Sequence, residues 1–65
     1  MPTTSRQQSL AHFAAAVLEW RSKGFTQRSI NRMLTTALEL MPDTHPRPLR
    51  DAETVLEIAD GRRAA

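Results

Sequence analysis

A chain of 65 residues makes one small domain at most, and so short a chain buries only a modest fraction of its surface. It contains no cysteine, which excludes a disulfide framework and a thiolate metal site and leaves tight helix packing or a homodimer as the expected remedy. The formal net charge is only +2, too small to name a partner by itself.

The distribution of charge says more. Residues 1–36 carry Arg6, Arg21, Lys23, Arg28 and Arg32 against Glu19 alone. Residues 37–65 set Arg47, Arg50, Arg62 and Arg63 against Glu39, Asp43, Asp51, Glu53, Glu57 and Asp60. A basic face and an acidic face are the expectation. The apolar runs are short and interrupted, far from the roughly 20 residues of a membrane span. Met1-Pro2-Thr3-Thr4-Ser5-Arg6 lacks the basic-then-apolar order of a signal peptide. A cytoplasmic protein with no membrane contact fits both observations.

Residues 1–8 are polar and aperiodic, which predicts a loose N-terminal arm. Thr4 or Ser9 is the expected cap of the helix that follows. Leu10, Phe13, Ala14, Val17 and Leu18 recur at the spacing of one helical stripe, with Ala11, Ala15 and Ala16 adding propensity. The first helix is expected over about 8–22, with Trp20 at the edge of its stripe. Gly24 is suited to the position just past a helix C-terminus, because it reaches the left-handed conformation without a Cβ penalty. Thr26 is a natural N-cap. Phe25 and Ile30 flank it at the spacing of a hydrophobic staple.

The second helix, about 27–41, has the clearest pattern. Ile30, Met33, Leu34, Ala37, Leu38 and Met41 follow the helical repeat without a miss, and Pro42 ends it. Three prolines within Pro42-Asp43-Thr44-His45-Pro46-Arg47-Pro48 predict a stiff loop. Pro48 suits the first position of a third helix, expected over about 48–60 on a stripe of Leu49, Ala52, Val55, Leu56 and Ala59. Ile58 points away from that stripe and marks a possible second contact surface. Gly61 is a natural stop, and residues 61–65 read as a frayed end. The expected fold is an all-α, single three-helix domain that forms a homodimer.

Chemistry-bearing constellations are few. His12 and His45 lack any ligand spacing, so no metal and no cofactor are expected. Neither histidine is expected beside a serine and a carboxylate in any recognisable arrangement, and Asp51, Glu53, Glu57 and Asp60 read as the solvated face of the third helix. An enzyme is not the expectation.

The basic turn carries the weight. Arg28, Asn31 and Arg32 share one outward helix face, with Gln27 on its flank, while Arg21 and Lys23 bracket the turn. Arginine and asparagine match the edges of guanine and adenine, and lysine and free helix amides suit phosphates. The run Gly24-Phe25-Thr26-Gln27-Arg28-Ser29-Ile30-Asn31-Arg32-Met33-Leu34 resembles the turn and following helix of helix-turn-helix regulators, with Phe25, Ile30 and Met33 at the apolar positions. Trp20 stands where that family has a small alanine. The stretch Val17–Leu34 is also similar to part of the ribbon-helix-helix antitoxins and repressors, although residues 3–9 show no apolar alternation for their DNA-reading strand. Either resemblance implies a dimeric DNA-binding regulator.

Two readings follow. In the first, Arg28, Asn31, Arg32 and Gln27 meet DNA while Arg21 and Lys23 hold phosphates. In the second, the chain is a helical module of the phage or plasmid type that binds or inhibits a host protein, through Trp20 and Phe25 as anchors and Ile58 as a further contact.

Overall fold

The computed structural model describes residues 5–63. They form three helices, α1 (Arg6–Ser22), α2 (Gln27–Glu39) and α3 (Pro48–Ala59). The first helix begins earlier than its apolar stripe suggests. Ser5 is the N-cap, its hydroxyl accepting from the Gln8 amide at 3.1 Å while the Gln8 side chain accepts from the Ser5 amide at 3.2 Å. This reciprocal capping box satisfies two amides that the helix start leaves free. Of the expected loose arm, residues 6–8 are therefore helical, Ser9 is not a cap, and Thr4 lies outside the described residues.

Gly24 closes α1 as expected, at φ +90°. Its amide donates to the Arg21 carbonyl, and the Phe25 amide reaches back to the Trp20 carbonyl. That pair of bonds is the Schellman arrangement, which uses carbonyls the helix end leaves without partners. Thr26 then caps α2 through its hydroxyl, which accepts from the Ser29 amide at 3.1 Å. Phe25 itself stays 46% exposed beside a buried Ile30. The second helix stops at Glu39, two residues short of the expected bound, with Leu40 as its cap. Gly61, at φ +76°, ends α3 with the same pair of bonds, from Gly61 to Ile58 and from Arg62 to Glu57. Arg62 and Arg63 fold back on Asp60 and Glu57 at 3.1 and 3.0 Å, so residues 61–63 are engaged and not frayed.

The core gathers Leu10, Ala14 and Val17 from α1, Ile30, Leu34 and Leu38 from α2, and Ala52 and Val55 from α3. Each helix supplies residues separated by three or four positions, the condition for sharing one face. Full burial of each large aliphatic side chain is worth about 1.5–3 kcal/mol. Phe13, Trp20, Met33, Leu56, Ile58 and Ala59 pack around this centre partly buried.

Three expectations about the stripes fail together. Leu18 is 50% exposed and Leu49 72% exposed, although both were assigned inward faces. Ile58, assigned outward as a contact surface, packs against the core. The cause is one rotation. Asp51 is buried, and Asp51, Val55 and Ile58 stand at i, i+4 and i+7, so the turning of α3 that brings Asp51 inward carries Ile58 with it and swings Leu49 out. On α1 the buried Ser9 sits at i−4 from Phe13, and the same sense of turning exposes Leu18.

Arg6, at the start of α1, binds Asp51 in the first turn of α3, and Arg21, at the end of α1, binds Asp60 just past the end of α3. The two helices therefore run in the same direction, and α2 returns antiparallel to both. No helix among the described residues is long and apolar enough to cross a membrane.

Candidate nucleic-acid interface

Three stripes divide α2. Ile30, Leu34 and Leu38 face the core. Arg28, Arg32, Thr35 and Glu39 follow at i, i+4, i+7 and i+11 on a second stripe, with Asn31 beside it. Ser29, Met33, Thr36, Ala37 and Leu40 form the third, which continues into Phe25.

Arg28 and Arg32 are exposed, and none of the ion pairs among the described residues involves either. Gln27 donates from Nε2 to Oδ1 of Asn31 at 2.7 Å, a bond across one turn between two exposed side chains. Lys23 stays exposed, 3.8 Å from Glu19. At that exposure the pair holds little free energy and leaves the ammonium available. Arg21 differs. Its Nη1 lies 2.7 Å from Oδ1 of Asp60, so its charge is shared with α3. The hydrogen bond from Arg21 first, then the nearby charges of Arg21 and Arg62, hold the Asp60 carboxyl below its ordinary value against a smaller opposing effect of burial.

Of the anchors expected for a protein partner, Phe25 is available on the surface, whereas Trp20 and Ile58 are both partly buried against the core. Phe25, Met33, Ala37 and Leu40, with Ser29, Arg32 and Thr36, line a shallow open groove of about 580 Å³. Leu40, one of its lining residues, is 77% exposed.

The structure corrects the reading of Ser9, His45 and Asp51. His45, on the stiff loop, has no exposed area. Its Nδ1 lies 2.6 Å from Oδ2 of Asp51, and its Nε2 lies 2.7 Å from Oγ of Ser9. Asp51, expected on a solvated face, also takes Nη2 of Arg6 at 2.6 Å and Nε at 3.3 Å. Burial pushes the Asp51 carboxyl up, but hydrogen bonds from Arg6 and His45, with the charge of Arg6, outweigh it and hold the group below its ordinary value. An ionised carboxylate only accepts, so His45 donates from Nδ1 to Asp51, while its Nε2 shares a hydrogen bond with the Ser9 hydroxyl.

The order of contacts is that of a serine-nucleophile triad, but its surroundings are those of a structural tie. The Ser9 amide is spent on the Ser5 carbonyl, and both Ser9 and His45 are buried. The adjacent cleft, about 340 Å³, is lined by Arg6, Pro46, Arg47, Arg50 and Asp51, without Ser9 or His45. No local motif announces this tie, since its members stand 36 and 6 residues apart. The available signal was the proline-stiffened loop, which can hold a histidine inward at low entropic cost.

The tie and the Arg21–Asp60 pair also undo the expected separation into a basic and an acidic face. In each, an arginine of the first half is set on an aspartate of the second. What remains basic near the turn is Arg28, Arg32 and Lys23. Comparison with protein-family models, with curated proteins and with solved structures finds no match to this chain.

Proposed function

We propose that this chain is a small non-enzymatic DNA-binding protein, a transcriptional regulator or antitoxin-like repressor, working in the cytoplasm as a homodimer. The observation that carries the reading is Arg28 and Arg32, one turn apart on α2, exposed and without a carboxylate partner among the described residues. Arg28 stands in the first turn of α2, where the helix dipole disfavours a cation. A charge placed against its own helix and left unpaired is the kind of local conflict that a ligand resolves. Phosphate is the complementary ligand, and Asn31, held by Gln27, lies on the adjacent surface to meet a base edge.

A helical protein-binding module is the second reading. It is favoured by the exposed groove along Phe25, Met33, Ala37 and Leu40, with Phe25 as the anchor.

Anisotropy of a labelled mixed-sequence duplex, titrated at low and moderate salt, tests the first reading. Each phosphate contact contributes a slope of about −0.9 in log affinity against log salt. The double variant Arg28→Ala, Arg32→Ala is expected to flatten the slope by about 2. Absence of binding at low salt, or an unchanged slope in the double variant, would refute the DNA reading and leave the groove reading standing.

A further inference from the structure

The occupant of the α2 groove can be read from the charges beside it. Phe25, Ser29, Met33, Thr36 and Leu40 stand at i, i+4, i+8, i+11 and i+15, a single stripe with large apolar groups at both ends and in the middle. Phe25 and Leu40 are 46% and 77% exposed, and Ala37 and Ser29 are small enough to let another helix approach closely. Arg32 also lines the groove, and it belongs to the neighbouring stripe of Arg28, Arg32, Thr35 and Glu39 on the same helix. The N-terminal part of that stripe is cationic and its C-terminal part anionic, both opposed to the macrodipole of α2, which favours the reverse order. The first turn of α2 holds no acidic residue and the last turn no basic one.

We infer that the groove binds a second copy of this chain, α2 against α2 in antiparallel orientation about a twofold axis near Met33. In that register Phe25 of one copy meets Leu40 of the other, and Met33 packs on its own symmetry mate. An isologous contact requires self-complementarity of this kind. The same register sets Arg28 opposite Glu39 of the second copy, because antiparallel helices related by a twofold axis present the same flank to each other. The apolar stripe and the charged stripe thus specify one alignment independently. The N-terminus of each α2 also comes beside the C-terminus of the other, so the two dipoles offset the charges that each helix places badly on its own.

The pairing has a consequence for the basic surface. Both charged flanks lie on the same side of the dimer, where four guanidinium groups stand against two Glu39 carboxylates, so the joint surface stays cationic. In that assembly Arg32 of each copy is left free to face DNA, while Arg28 is shared with Glu39. The pairing does not depend on DNA binding, because its support is the groove and the charged stripe beside it.

Sedimentation equilibrium from micromolar to millimolar protein, without DNA, is the test. The unaltered chain is expected to dimerise. Leu40→Asp, at a position that contributes little to the monomer core, is expected to weaken association by about tenfold or more. Arg28→Glu and Glu39→Arg each place like charges opposite one another and are expected to be monomeric with unchanged far-UV ellipticity. Mixed together they restore both ion pairs, and a one-to-one heterodimer is the expected result. A chain that stays monomeric throughout would overturn the second-copy assignment. So would a dimer indifferent to Leu40→Asp, or two folded single variants that fail to associate with each other. Because no duplex is present, failure here is distinct from failure of the DNA reading.

Discussion

Replacing His45 by alanine removes the one side chain that bridges Ser9 and Asp51 in the buried tie. The imidazole fills space with no exposed area and makes two hydrogen bonds, of 2.6 Å to Asp51 and 2.7 Å to Ser9. Its loss opens a cavity that the proline-stiffened loop collapses into poorly, and large-to-small changes in such sites cost about 2–5 kcal/mol. The Ser9 hydroxyl is left buried and unpaired, a further penalty of about 1–3 kcal/mol. Asp51 keeps Arg6 and is not stranded, so the two penalties together come to about 3–8 kcal/mol. At the usual 0.05–0.15 kcal/mol per residue, a domain of 65 residues has roughly 3–10 kcal/mol in all. The variant therefore sits near its unfolding threshold. Urea titration followed by far-UV ellipticity, with Trp20 fluorescence as a second probe, reads the change. For an m-value of about 1 kcal/mol per molar, the midpoint falls by about 3 M or more. Ser9→Ala, which removes only the bond to Nε2, is expected to cost about 1 kcal/mol. His12→Ala, on an exposed imidazole, is expected to stay within about 0.5 kcal/mol. Equal midpoints for the His45 and His12 variants would refute the tie as a stabilising element.

Gly24→Ala is expected to cost about 1–2 kcal/mol through backbone strain alone, since a Cβ there meets no atom within 4 Å at φ +90°; a change of a few tenths in the same urea titration would remove that account. The Asp51 carboxyl is held below its ordinary value of 3.8, so its folded form binds a proton less readily than its unfolded form. Its contribution to stability is complete above the unfolded value and is lost as pH falls through the lower folded value. Thermal melts between neutral pH and pH about 2 should show a smaller acid-side loss in Asp51→Asn than in the parent chain, and parallel curves would contradict the assignment. Asp60→Asn frees Arg21 from its 2.7 Å partner and deletes a negative charge near the turn. It is expected to tighten duplex binding at low salt and steepen its salt slope by up to about 0.9, one phosphate contact, as read by anisotropy.

Much of the architecture was legible from local signals. Gly24, Thr26 and Pro48 act where their backbone chemistry places them, and Ile30, Leu34 and Leu38 were inward on period alone. The start of α1 was also legible, because Ser5-Arg6-Gln7-Gln8 carries the Ser-x-x-Gln spacing of a capping box. The apolar stripe begins later and drew the boundary with it. Helix rotation was not legible. Leu49 and Ile58 have similar hydrophobicity, and which of them turns inward is decided by Asp51, a residue that period analysis assigns to solvent. For the candidate site, the exposure of Arg28, Asn31 and Arg32 followed from the amphipathic pattern of α2. The engagement of Arg21 did not, because its partner Asp60 stands 39 residues away.

Hydrogen bonds and ion pairs fasten α1 to α3 at both ends, through Arg6–Asp51 and Arg21–Asp60. Among the described residues no side-chain hydrogen bond or ion pair joins α2 to either of them. The second helix is held by its capped turn, by the stiff loop and by the apolar contact of Ile30, Leu34 and Leu38. Apolar attraction fades on cooling, whereas charge-assisted bonds do not follow that course. Near freezing, the amides of α2 should therefore exchange with solvent ahead of those in α1 and α3, as a separate opening unit. Cold would loosen the very helix that carries the unpaired arginines, while the clasped pair beneath it stays closed.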